Sequence, residues 1–334
     1  MQRSKAMKNC TWSLLVCLAA VVGIPSSTIA QTYDGILAAR QAIKDGLNAH
    51  NLELVMPHIA DNFTAEHSWD DTIRDRQAFK SGWENTIAAF PDEVFVNTRV
   101  LVTDGVLVAE NWMQGTHMGV WNGLPPTGEK GAPFHYADVW DYQGLQMTHL
   151  MMYGDMQSVL VSAKVMPKSE LPPLVPSFTI PDPVPTGLTP KEVGKEVLRR
   201  WNAHDLSSWI KAFSNDADIY SNIVDKKLTR AEHVALMEMN FAGFPDVQGE
   251  DVRVVEFGDG WLLAESVFHG THTGTWFGIP ATGRPYKGLR VAQILRYNAE
   301  GLCTYMHTYY DNITVLVQIG VFGKSSSENW ELYR

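Results

Sequence analysis

The chain has 334 residues, 45% of them hydrophobic, and a formal charge of −10. Such a composition belongs to a globular protein able to bury sizeable cores and excludes disorder as the default. The acidic balance, with no basic cluster to offset it, repels phosphate backbones and excludes nucleic acid as a partner.

Residues 1–30 carry three cations, no acid, an apolar run from Leu14 to Ile24 and a small-residue end at Ala30. This is the pattern of a secretory signal peptide. The run is shorter than the ~20 residues of a spanning helix, so no membrane association is expected after its removal. The mature protein is expected to be exported, periplasmic or secreted, with its formal charge moved to −13 by loss of three cations. Cys10 and Cys17 lie in the leader; Cys303 alone remains, so no intrachain disulfide is expected.

Apolar spacing near 3.6 predicts helices over 34–49 and 76–90, and period-two alternation predicts strands through the rest of the segment to 165. Eight prolines between Pro167 and Pro190 predict a stiff spacer over 166–189. Helices are predicted again over 190–203 and 230–244, followed by strand-like runs VRVVEF, GWLLAESVFHGTHTG, GLRVAQILRY and LCTYMHTYYDNITVLVQIGV. Helices first and a strand meander after is an α+β plan.

The same order appears twice because the sequence does. GTHMGVWNGLPPTG at 115–128 answers GTHTGTWFGIPATG at 270–283; Asn48-Ala49-His50 answers Asn202-Ala203-His204; Phe90-Pro91-Asp92 answers Phe244-Pro245-Asp246. A period near 155 residues is a domain and not a solenoid unit. Two domains are expected, 31–165 and 190–334.

With an early Phe-Pro-Asp, then Gly-Thr-His-x-Gly, Gly-x-Pro-x-Thr-Gly and a late Asp in each half, the chain resembles the SnoaL-like polyketide cyclase (ester cyclase) family. The resemblance implies two tandem cones of the nuclear transport factor two superfamily, each with N-terminal helices packed on a strongly curved mixed or antiparallel sheet. It also implies a pseudo-dimer of the two domains within one chain, and a catalytic acid at Asp311. The second copy keeps the family's Gln318 and Gly320; the first copy, with Asp155, lacks them.

On a strand, His307, Tyr309 and Asp311 point the same way, as do His149, Met151, Tyr153 and Asp155. If that face is the cavity, desolvation raises the aspartate toward neutrality, and it serves as a general base beside a carbonyl, with no metal or cofactor required. The alternative is that the aspartates cap a strand end or pair with an arginine. His117 and His272 in the repeated phrase suit either a donor to a ligand carbonyl or a bond within the turn. Trp121 and Trp276 suit closure over an apolar ligand or packing within the protein, while the glycines and prolines around them shape a loop at the cone's mouth. His50 and His204 end the first helices and read as structural.

No nucleophile elbow, zinc-protease helix, phosphate loop or dinucleotide fingerprint is present. The expected activity is acid/base chemistry on a small apolar carbonyl compound, by aldol-type cyclisation or isomerisation. A non-catalytic module for a hydrophobic ligand and an epoxide or ester hydrolase are the alternatives.

Overall fold

The computed structural model describes residues 26–164 and 171–322; most of the expected leader (1–25), the residues 165–170 of the spacer and the tail 323–334 lie outside the described residues. The first half runs α1 (Ser26–Asn48), α2 (Leu52–Val55), β1 (Ile59–His67), β2 (Asp70–Asp75), α3 (Arg76–Ala89), β3 (Val94–Thr103), β4 (Val106–Gln114), β5 (Phe134–Gln143), β6 (Gln146–Gly154) and α4 (Met156–Ser162). The second half repeats it as α5 (Pro190–Asn202), α6 (Leu206–Trp209), β7 (Phe213–Ser221), β8 (Lys226–Leu228), α7 (Arg230–Gly243), β9 (Gln248–Gly258), β10 (Trp261–Thr271), β11 (Pro285–Tyr297), β12 (Cys303–Tyr310) and α8 (Asn312–Gln318).

Each half forms one six-stranded sheet, ordered β2-β1-β6-β5-β4-β3 and β8-β7-β12-β11-β10-β9. All neighbours are antiparallel except β1 with β6 and β7 with β12. The fold is α+β, two cones in tandem, as expected. Ile36, Ala39, Ile43 and Leu47 recur at helical spacing on α1 and pack against Phe63, Leu107, Trp140 and Leu150 on the inner face of the first sheet. The second interior is built alike, from Val193 and Val197 of α5 against Trp209, Leu236, Leu262 and Leu295.

The repeated phrases are ties between elements. Asn48 accepts from Phe95 N (2.7 Å) and donates to its carbonyl (3.1 Å); Asn202 does the same with Gly249, at 2.8 Å both ways. Asp92 accepts from the backbone and hydroxyl of Thr116, and Asp246 from those of Thr271, joining each Phe-Pro-Asp turn to its Gly-Thr-His. The following glycine is obligatory: a Cβ at Gly274 would lie 1.9 Å from the Ala242 carbonyl oxygen, where the loop crosses the end of α7. His50 and His204 follow their helices at positive φ (52° and 56°) and reach the carbonyls of Glu93 and Val247. Their structural role is therefore a left-handed cap and a hydrogen bond.

Two expectations are corrected. The β-branched run after Tyr310 is the helix α8, because Asp311 caps its first turn by accepting from Thr314 N at 2.7 Å. MQSVLVS is likewise helix α4, capped by Asp155. The described part of the spacer is laid along the second domain, with Leu174, Phe178 and Ile180 on its core and Val184 N donating to Lys211 O at 2.9 Å.

The domains meet through the outer faces of their sheets. Val139, Met151 and Tyr153 of the first pack with Tyr220, Ile294, Tyr305 and Tyr309 of the second. Among the described residues no helix is long and apolar enough to cross a membrane.

Candidate functional site

Only one side of each closing strand can face a cone interior. On β12 that side carries Met306, Thr308 and Tyr310, which line a cavity in the second domain. His307 and Tyr309 turn the other way, into the interdomain interface, where both reach Glu110 of the first domain: His307 Nδ1 at 2.7 Å and the Tyr309 hydroxyl at 2.9 Å. The shared orientation expected for His307, Tyr309 and Asp311 is present, but the face is the interface and not the cavity. Period two fixes which residues share a side and says nothing about which side is inside.

Asp311 and Asp155 are buried at this interface in a reciprocal arrangement. Asp311 holds its own helix through Thr314 and accepts from Met156 N of the first domain at 2.9 Å; Asp155 holds α4 through Ser158 N (3.1 Å) and accepts from Asn312 N of the second at 3.0 Å. Burial, and for Asp155 the Asp311 charge as well, pushes the two carboxyls up to about 7 (Asp155) and about 6 (Asp311). The first copy follows suit: Tyr153 donates to Glu265 of the second domain at 2.7 Å, and His149 bonds Thr64 at 2.9 Å.

Glu110 and Glu265 occupy equivalent places and differ in company. Burial pushes Glu110 up, but His307, Tyr305 and Tyr309 outweigh it and hold the carboxyl below its usual value. Glu265, with Tyr153 and Arg253 for partners, stays raised because burial wins.

The two interiors have diverged. In the first cone Arg40 Nη2 reaches Asp138 at 3.1 Å, Asn111 at 3.1 Å and Asn97 at 3.3 Å, and its guanidinium lies 4.8 Å from the Trp140 ring centre. The pair is buried, and about 10 Å³ of space remains beside it. In the second cone Gly194 stands where Arg40 does and Gln293 where Asp138 does, and a cavity of about 130 Å³ opens. That is room for about ten water-sized atoms.

This cavity is apolar with a few placed polar groups. Asp251, in the place of Asn97, accepts from Ser266 at 2.7 Å, and burial raises its carboxyl. The Tyr297 hydroxyl and His233 Nδ1 have no hydrogen-bond partner among the described residues. Burial holds the Tyr297 hydroxyl protonated well beyond its usual range and pushes His233 down to about 3, so the imidazole is neutral. Trp276 lines the same cavity, its indole N–H donating to Asn240 at 3.0 Å. His272 is buried beside it, with Nδ1 at 3.2 Å from the Thr282 hydroxyl and Nε2 unpartnered.

In the first domain, His117 and Trp121 line a wider cleft of about 1070 Å³ at the mouth of the cone. Sequence reasoning missed Asp251, Tyr297, His233 and Gly194. The signal lay in the differences between the copies, since each stands opposite a residue of another chemical type in the first half, apart from Tyr297, which faces Tyr142.

A strongly curved sheet closed over helices, present twice and with a cavity at each copy, defines a tandem cone protein. The chain belongs to the SnoaL-like polyketide cyclase family, whose model matches residues 37–141 and 192–319. Among solved structures it is similar to a putative SnoaL-like polyketide cyclase from Jannaschia sp. CCS1 (13% identity, TM-score 0.38, 41% of this chain and 96% of that one). It is also similar to IdmH, a putative polyketide cyclase from Streptomyces antibioticus (20%, 0.35, 38% and 97%), and to AclR, a putative hydroxylase from Streptomyces galilaeus (16%, 0.38, 42% and 86%). Among curated proteins none matches the chain.

Proposed function

We propose that the second cone is the working site of an exported, cofactor-independent acid/base enzyme acting on a small apolar carbonyl compound, by aldol-type cyclisation or isomerisation. The observation that carries this reading is the replacement of the first cone's Arg40–Asp138 plug by Gly194 and Gln293, which leaves a cavity faced by Asp251 and the free Tyr297 hydroxyl. Asp251, raised by burial, takes a proton from the carbon next to the carbonyl. The Tyr297 hydroxyl donates to the oxygen as it becomes an enolate, in surroundings where that bond is strengthened by low polarity. The enolate carbon then bonds to a second carbonyl carbon, or is reprotonated elsewhere, and Asp251 returns the proton. A hydrophobic wall of Trp276, Phe244 and Leu289 orients the rest of the molecule.

Deuterium exchange at the carbon next to the carbonyl of α-tetralone, followed by NMR in heavy water, tests the first step without knowledge of the natural substrate. The wild type is expected to accelerate exchange, and Asp251→Asn to lower the rate about a hundred-fold or more. Equal exchange by the two proteins rules the mechanism out, and tight binding without exchange in either favours a ligand-binding module.

A further inference from the structure

The cleft of about 1070 Å³ in the first domain shares part of its wall with the pseudo-equivalent of the second cone's cavity, Phe90, Glu93 and Trp121 standing where Phe244, Val247 and Trp276 do, and it widens from there between α3, the repeated loop and the edge of the second domain near Arg290 and Ile313. Two buried polar atoms line it without partners among the described residues. Glu93 is 5% exposed and no donor reaches its Oε2; His117 is 1% exposed and no partner reaches its Nε2. His117 Nδ1 sits 3.4 Å from the Thr127 hydroxyl, and burial lowers the ring's basicity against a bond to the Gly119 backbone that raises it, so the ring is neutral and, in the tautomer protonated at Nδ1, its Nε2 accepts.

Nothing in the fold requires the acid. The second domain has Val247 at the same place, buried at the same turn, so a valine satisfies the packing. A buried carboxyl without a partner costs several kcal/mol and calls for an explanation outside the folded chain. Of the protein's own cations at the cleft, Arg74 pairs with Asp70 at 2.8 Å and Arg290 with Glu66 at 2.8 Å, and Lys287 lines it from the second domain without a hydrogen bond to Glu93 Oε2. Aromatic faces stand close by instead: Phe90 stacks on His117 at 5.1 Å and Trp121 meets Phe90 edge-on at 5.6 Å.

An unpaired acid, a bare imidazole nitrogen and aromatic rings in one cleft form a receptor for a cation carried on an apolar body. We propose that this cleft is a second ligand site, separate from the second cone, that takes an arylalkylamine or similar amphipathic amine with its ammonium group on Glu93 and His117.

Glu93 of the free protein is protonated at neutral pH. Burial, then the neighbouring Asp92, pushes Glu93 up to about 8. The other titratable groups bearing on it are Tyr136, which is held neutral, His117, and His50, whose ring meets the Glu93 carbonyl. An ammonium group arriving at Glu93 restores the carboxylate, and the displaced proton leaves to solvent.

Titration calorimetry at pH 7 with 2-phenylethylamine, in phosphate and in Tris, reads this directly, because the two buffers differ in ionisation enthalpy. The expected result is saturable binding with release of close to one proton, at least ten-fold weaker binding of the isosteric 2-phenylethanol, and at least a ten-fold loss with no proton release in Glu93→Gln. Glu93→Gln should melt no lower than the wild type, which separates loss of the site from loss of fold. Gly194→Leu, which fills the second cone, should bind the amine as the wild type does, so this result stands apart from the tetralone experiment. Equal binding of the alcohol, absence of proton release, undiminished binding by Glu93→Gln, or no binding of the amine at millimolar concentration would overturn the assignment.

Discussion

Asp155 and Asp311 each divide their two oxygens between their own helix and the opposite domain. The cost of this economy is that both are fully desolvated, so the folded protein favours their neutral forms. Their folded values, about 7 for Asp155 and about 6 for Asp311, exceed the ordinary value of 3.8. The stability they contribute is complete below about pH 4 and is lost as the pH rises through about 6 to 7. The double variant Asp155→Asn, Asp311→Asn keeps one of the two acceptor oxygens at each place and removes the titration. Its melting temperature is expected to fall less steeply than the wild type's between pH 5 and 7.5, and parallel slopes by calorimetry would refute the assignment. Sequence patterning located this pair, but neither the helices they cap, where the alternative expected was a strand end, nor the side they face. Facing is decided by which surface the helices cover, and period two carries no trace of it.

At the scale of elements, the first helix of each half was legible because α1 and α5 bury one stripe at helical spacing, and the order of helices before strands followed from the repeat. The short helices α4 and α8 were not, since their Val, Ile and Leu runs favour strands locally and a capping aspartate overrides them. The cavity was legible only as a contrast between copies. Gly194 lies inside α5, where glycine is unfavourable, and a Cβ there would make ordinary contacts with Leu262 Cδ1 (3.7 Å) and the Tyr297 hydroxyl (3.9 Å). Gly194→Ala is therefore expected to stabilise the protein by about 0.5–1 kcal/mol while leaving tetralone exchange measurable, and Gly194→Leu to abolish that exchange. A destabilised alanine variant, measured by urea denaturation, would mean that the glycine serves the backbone and not the cavity.

For the whole molecule, the fused halves are held by an interface whose polar centre is lopsided. Glu110 gathers the hydroxyls of Tyr305 (2.6 Å) and Tyr309 (2.9 Å) and the ring of His307 (2.7 Å) from the second domain, and Arg99 (3.0 Å) from its own. Arg99 in turn lies over Trp261 and Tyr305 of the second domain, with its guanidinium carbon 4.2 and 4.4 Å from the ring centres. Glu265, its counterpart, has one tyrosine and the partly exposed Arg253, which also forks onto Asp141 across the interface. Removing Glu110 strands the buried Tyr309 hydroxyl, leaves Tyr305 and His307 only each other at 2.7 Å and takes from the partly exposed Arg99 its carboxylate, whereas removing Glu265 strands a single hydroxyl and leaves Arg253 its second partner. Glu110→Ala is expected to cost about 3–5 kcal/mol and Glu265→Ala about 1–3. Because the loss falls between the domains, Glu110→Ala should also split a single calorimetric transition into two, one for each cone. The interaction itself is read by the cycle of Glu110→Gln with Tyr309→Phe, whose coupling should exceed that of Glu265→Gln with Tyr153→Phe. Equal couplings, or a single unshifted transition in Glu110→Ala, would mean that the apolar packing of the two sheets holds the halves together without this centre.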